Sequence, residues 1–250
     1  MQSFAEEKPC VGHRVSEQTK IREGRGLGLG SGYKPWIRAT EFPGHLGTHH
    51  SPIDWHHGRT MHLLSNGEYW MYLILRWEDD VIDIREQYPL PLEATMEIAC
   101  KNHLRHPRVG GIPVHMTSDL LVDYLDGSQA VYSMKASKAD FQKNADQVKN
   151  VWIEREYWRG QRVAYQLVYT DEMNVAYAEN IGQAVYCWDP KTISDKVGLF
   201  KCLVAHKMID IDLRSKLLDA EGWNRLANKY ITDTEYPRLL EKCSNIAGNN

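Results

Sequence analysis

Hydrophobic and polar positions divide the chain into recognisable stretches. The clearest is residues 116–135, where two short apolar runs flank Asp126-Gly127. Asp119 to Tyr124 reads as one strand and Ala130 to Lys135 as the next. Gly127 supplies the positive φ that a tight primed turn needs. Antiparallel pairing would bring Asp119, at the head of the first strand, beside Lys135, at the end of the second.

Other stretches follow helical or strand periods. Residues 65–78 predict a helix, with Ser65 at the N-cap and Glu68 three residues on as a capping box. Val81 to Tyr88 predicts a strand that ends at Pro89, with Asp83, Arg85 and Gln87 on one face and Ile82, Ile84 and Glu86 on the other. Residues 93–106 predict a helix with a basic C-terminal end (Lys101, His103, Arg105, His106), and Gly110-Gly111-Ile112-Pro113 a loop leading into the hairpin. Phe141, Ala145, Val148, Trp152, Glu156 and Arg159 mark one long helix over 139–159, closed by Gly160. Val163 to Thr170 predicts a buried strand. Strand, helix and strand then form a βαβ-like unit in a mixed α/β core.

After Asp171 the pattern changes. Residues 197–209, 211–220 and 222–230 have helical spacing and no strand is convincing. The expected organisation is a domain over 1–171 and a small, mainly helical module over 172–250, with a winged helix as one form of it.

Composition narrows the class. The chain has 250 residues, 42% hydrophobic and 25% charged, which suits a globular protein with a substantial core. The formal charge of −3 is unlike that of most nucleic-acid binders, so any such role rests on local clustering. Five widely spaced cysteines without a CxxC pair argue for reduced thiols and a cytoplasmic setting. The first residues have no apolar core of the signal-peptide kind. No run approaches the ~18 apolar residues of a membrane span.

Two local clusters stand out. Residues 20–36 carry glycines at 24, 26, 28, 30 and 32, with Arg22, Arg25, Lys34 and Arg38 around them. No strand precedes these glycines and Pro35 follows, so they are not a dinucleotide fingerprint. They read as a mobile basic loop suited to a phosphate backbone, or as a flexible linker. Residues 39–62 hold six histidines, and His45 and His49 have the spacing of a helical ligand pair. Pro43, Gly44 and Gly47 oppose a helix there, so zinc is the lesser reading. Asp54 to Leu64 reads as strand, turn and strand, with Gly58 in the turn.

Glu68 on a core helix, Asp119 heading a strand and Lys135 ending the next form an order that resembles the PD-(D/E)xK nuclease core. By itself this is a weak motif, and a hairpin-end ion pair or a capping carboxylate explains the same residues. Longer strings add to it. In order they are Ile21-Arg-Glu-Gly-Arg-Gly-x-Gly28, Tyr33-x-Pro-Trp36, His62-Leu-Leu-Ser65 with Glu68, Val81-Ile-Asp-Ile-Arg-Glu-Gln-Tyr-Pro-Leu90, Ser118-Asp-Leu-Leu-Val-Asp123 and Glu154-Arg-x-Tyr-Trp158. Together they closely resemble the TnsA family, the endonuclease subunits of heteromeric transposases, over about residues 16–190.

The resemblance implies a restriction-endonuclease-like mixed sheet flanked by helices. It implies cutting of the non-transferred strands at the 5′ ends of a transposon, beside a TnsB-like transposase and a TnsC-like AAA+ ATPase. Mg²⁺ is the implied cofactor, one ion or two, with Mn²⁺ as a substitute. Glu68 and Asp119 match the family's acidic ligands, Lys135 its catalytic lysine and Glu154 an acidic position on the following helix. The position two before the lysine is commonly Gln in the family and acidic in nucleases generally; here it is Ser133. That departure leaves the Met134 carbonyl as a third metal ligand and predicts weaker metal affinity. Two alternatives stay open: a non-catalytic subunit that bridges transposase, ATPase and DNA, and a stand-alone restriction-type nuclease.

Overall fold

The computed structural model describes residues 15–41 and 48–246. His45 and its pairing with His49 lie outside the described residues. The chain divides into two compact units, Met1–Tyr69 with Asp80–Asp171 and Trp70–Asp79 with Glu172–Asn250.

The first unit is built on a four-stranded sheet. Its strands are β1 (Val81–Pro89), β4 (Thr117–Tyr124), β5 (Gln129–Lys135) and β6 (Ala164–Tyr169), in that spatial order. The first three are antiparallel, and β6 runs parallel to β5. The crossover between β5 and β6 carries two helices where the sequence predicts one, α4 (Lys138–Lys143) and α5 (Ala145–Gln161). Asn144 breaks the periodicity by leaving helical geometry and capping α5 through its Oδ1, which accepts from Gln147 N. The helix also runs past Gly160 and stops at Arg162, which takes a left-handed conformation at φ +61°.

The core on one face packs Leu121 and Val131 of the sheet against Ile153 and Trp158 of α5, Ala99 of α3 (Leu92–Lys101), Leu90 and Met116. α3 is shorter than its predicted span. Past Asn102 the chain turns at His103 and forms a small antiparallel ribbon of β2 (Arg108–Val109) and β3 (Ile112–Pro113). The sequence reading has only a loop there.

The Gly-rich segment, read from the sequence as a loop or linker, packs as a cap on the edge of β1. α1 (Glu17–Arg22) leads into it. Trp36 N donates to the Gln87 carbonyl, Tyr33 OH to the Glu86 carbonyl and Gly30 N to Asp83 Oδ2. Gly26 makes the approach possible: at φ +80°, a Cβ there would lie 2.3 Å from Pro89 Cγ.

The expected alternation along β1 is also modified. The β1–β4 register shifts between Val81 and Asp83, leaving Ile82 exposed, and Gln87 adopts φ +49°. The polar groups on this strand are paired. Arg59 grips buried Glu86 with two bonds of 2.8 and 2.6 Å, and Arg85 reaches both oxygens of Asp123. The predicted strand–turn–strand over Asp54–Leu64 begins earlier and forms isolated bridges, His50 to Leu63 and Ile53 to Thr60, with Gly58 turning at φ +67°.

The second unit is helical, and no strand occurs among its described residues, so a winged helix is not formed there. It contains α6 (Val175–Val185), α7 (Lys196–Ala205), α8 (Ala220–Tyr230) and α9 (Tyr236–Ile246), together with the later turns of α2 (Asn66–Trp77). Residues 211–220, predicted helical, are mostly irregular. Asn180 explains this: its Nδ2 donates to the Leu213 and Lys216 carbonyls, and its Oδ1 accepts from Leu218 N. Those bonds take groups that a helix would have paired internally. Among the described residues no helix is long and apolar enough to cross a membrane.

Candidate active site

Four acidic or basic side chains predicted from sequence gather at one end of the sheet. The hairpin opens there. The β4–β5 pairing runs from Asp123–Gln129 to Leu120–Tyr132 and stops before Asp119. The Asp119 carboxylate then replaces the ladder, its Oδ2 accepting from Met134 N at 2.6 Å. Lys135 Nζ stands 4.0 Å from that same oxygen. It donates to the Met134 carbonyl at 2.7 Å and, more distantly, to Ser133 Oγ at 3.4 Å. Asp119 and Lys135 each keep about a fifth of their side chains exposed, so the pair faces solvent.

Glu68 enters from the first turn of α2. Ser65 Oγ accepts from Glu68 N, as a cap should. The Glu68 carboxylate turns back to accept from Leu64 N, Ser65 Oγ and Gln87 Nε2. Burial and the nearby charge of Asp119 together hold its pKa well above the ordinary carboxylate value, against the pull of those three donors. The capping and functional readings of Glu68 therefore coexist in one side chain.

Glu154 lies on α5 and is buried. Its Oε2 accepts from Tyr165 OH at 3.0 Å and from Ser133 Oγ at 3.3 Å. Its Oε1 is buried without a hydrogen bond. Burial, with Asp119 adding to it, pushes the Glu154 carboxyl up to about 7. Ser118, which accepts from Trp158 Nε1 at 2.8 Å, opposes that shift together with Lys135 and Tyr165.

Two contributors were not read from the sequence. Gln87 bridges Thr117 Oγ1 and Glu68, and its left-handed backbone is the kind of strain that gathers at functional sites. Tyr165 holds Glu154. Its position on β6 had no signal beyond the strand pattern, since only the parallel pairing of β5 and β6 brings it close.

The basic set divides. Arg22 and Lys34 are exposed, and Arg38 is half-buried near Glu23. Arg25 is buried, its guanidinium taken up by both oxygens of Glu41, by Glu23 and by the Trp36 carbonyl. It staples the Gly-rich segment together and is not available to DNA as the sequence reading expects.

Among the described residues no three His, Cys, Asp or Glu side chains form a ready metal cluster. The hard oxygen donors near one another are two carboxylates, Glu68 and Asp119, and the Met134 carbonyl. Glu68 is raised first by burial and then by the charge of Asp119, and a hard cation between the two carboxylates would relieve both, so the donor set fits Mg²⁺.

A mixed sheet flanked by helices, with acids and a lysine at the open end of its central hairpin, defines a restriction-endonuclease-like protein. Residues 78–170 match the family model described as TnsA-like endonuclease N terminal. That span includes Asp119, Lys135 and Glu154 and leaves Glu68 outside. The chain is also 35% identical over 162 residues to transposon Tn7 transposition protein TnsA of Escherichia coli. The alignment covers 65% of this chain and 59% of that protein, less than two thirds of the relative's length. Residues 78–170 are thus similar to the N-terminal domain of TnsA-like endonucleases.

Proposed function

We propose that this chain is a metal-dependent DNA endonuclease that cuts the non-transferred strands at the 5′ ends of a transposon. It acts in the bacterial cytoplasm, on DNA, with a TnsB-like transposase and under a TnsC-like ATPase. The observation that carries the reading is Asp119, Lys135 and Glu68 at one sheet end in a TnsA-like core.

Glu68, Asp119 and the Met134 carbonyl would hold Mg²⁺, or Mn²⁺ in its place. The ion supplies electrophilic assistance at the scissile phosphate. Lys135 does the remaining polar work. Its ammonium lies between Asp119 and the Met134 carbonyl, where it orients the attacking water and offsets charge on the phosphorane. Asp119 fixes the open strand end through Met134 N, so the lysine is presented from a rigid edge. Cutting depends on partners because a chain of formal charge −3 has little unaided attraction for DNA.

Catalysis is favoured over a purely bridging role by what Ser133 does. It is buried and bonded to Glu154, a carboxylate kept beside the strand position that lacks one. The test is strand-specific cleavage of transposon-end DNA with the partner subunits present. Loss of 5′-strand cutting in Asp119→Ala and Lys135→Ala, with assembly intact, is expected. Unchanged cutting in both variants overturns the site assignment, and assembly without any Mg²⁺- or Mn²⁺-dependent cutting favours the bridging role.

A further inference from the structure

We infer that the β2–β3 ribbon is a DNA-contacting element that enters a groove of the duplex beside the cutting site. This rests on the nuclease reading and adds a surface to it.

Charge is the first observation. Residues 101–116 contain Lys101, Arg105, Arg108 and three histidines, and not one carboxylate, in a chain whose overall charge is −3. Lys101 is bonded to Glu97 of its own helix at 2.6 Å. Arg105 is exposed. Arg108 folds over the turn and donates to the Gly111 carbonyl at 2.8 Å, which braces the ribbon.

The second observation is the tip. Gly110 and Gly111 turn at φ +57° and +81°, giving a two-residue connection. The flanking β-branched residues are exposed, Ile112 at 71% and Val109 at 43%. Neither belongs to the core of their own unit, which draws on α3, α5 and the sheet. An exposed apolar pair beside the Arg108 guanidinium fits sugar and base edges between phosphates. A two-stranded ribbon is one of the elements that a major groove admits.

Position is the third. Val114 N donates to the Pro107 carbonyl, closing the base of the ribbon, and Met116 pairs with Leu90 where β4 begins. Pro113 is six residues before Asp119, a reach of at most about 20 Å. That bound keeps the ribbon within about six base pairs of a duplex whose scissile phosphate lies at Asp119.

The experiment uses the full chain with its partner subunits, a labelled transposon-end duplex and fluorescence anisotropy over a salt series, with Ca²⁺ for binding and Mg²⁺ for cutting. Arg105→Ala is expected to weaken binding and reduce the slope of log affinity against log salt by about 1. Ile112→Ser is expected to weaken binding roughly fourfold without changing that slope. Ile112 is exposed, so an unchanged melting temperature accompanies the result. If the wild-type chain binds and cuts but both variants match it in affinity and slope, the ribbon inference falls and the nuclease reading stands. Loss of transposase binding with duplex binding intact makes the ribbon a protein contact and also overturns it. A wild-type chain that neither binds nor cuts DNA with its partners present removes both readings.

Discussion

Ser133 Oγ donates to Glu154 Oε2 across 3.3 Å, from the centre of the sheet to the crossover helix. The strand position where related nucleases carry an acid thus reaches one held on α5. Tyr165 OH bonds the same oxygen from the neighbouring parallel strand.

Glu154 gives the protein a pH-dependent cost. Its folded pKa is about 7 against an ordinary 4.5, so between those values the folded state binds more protons than the unfolded one. Stability therefore falls as pH rises through this window, by about 3 kcal/mol in all. Glu154→Gln should make the metal-free protein more stable at pH 8 than the wild type and flatten the fall between pH 5 and pH 8. Thermal melts at the two pH values measure this, and an unchanged pH dependence contradicts the buried carboxyl.

The two hydroxyls that hold Glu154 should matter less than the acid itself. Tyr165→Phe and Ser133→Ala each remove one hydrogen bond to a carboxylate, worth about 1–3 kcal/mol. Single-turnover cutting should fall modestly in each, and further in Glu154→Ala. Equal losses in all three would show that Glu154 acts only through its neighbours.

Asp119 and Lys135 should separate chemistry from binding. Lys135→Ala is expected to slow cutting roughly 10²- to 10⁴-fold, the range for a positioned proton-transfer group. Asp119→Asn keeps an oxygen for Met134 N, so it should preserve the melting temperature while abolishing cutting. Duplex binding measured beside cleavage tests both; a parallel loss of binding would move these residues from chemistry to substrate docking.

The basic segment predicts opposite outcomes for two of its arginines. Arg25→Ala leaves Glu41 without its bidentate partner and should destabilise the fold by roughly 3 kcal/mol, as breaking a buried pair does. Arg22→Ala and Lys34→Ala should leave the melting temperature alone and weaken DNA binding, more so at low salt. Denaturant titration and anisotropy distinguish the two. A stable Arg25→Ala protein that loses DNA would restore the residue to the binding surface.

The sequence by itself determined the local pieces. Asp126-Gly127 sets a hairpin and Ser65 with Glu68 caps a helix, because turn and cap chemistry act within a few residues. The order of strand, helix and strand gave the mixed core, and the linear spacing of Glu68, Asp119 and Lys135 supplied the motif. Tertiary structure decided what these pieces meant. A cap is local, but pushing the proton affinity of Glu68 upward needs burial and an Asp119 brought from another element. Arg22 and Arg25 look alike in the chain, yet Glu41 draws one inside. Residues 211–220 have helical spacing, but Asn180, some 35 positions away in sequence, binds their backbone first. Tyr165 meets Glu154 only because β6 lies parallel to β5, a pairing set by the whole sheet. Long-range burial and pairing outweigh local preference at such positions, and residue spacing alone does not encode them.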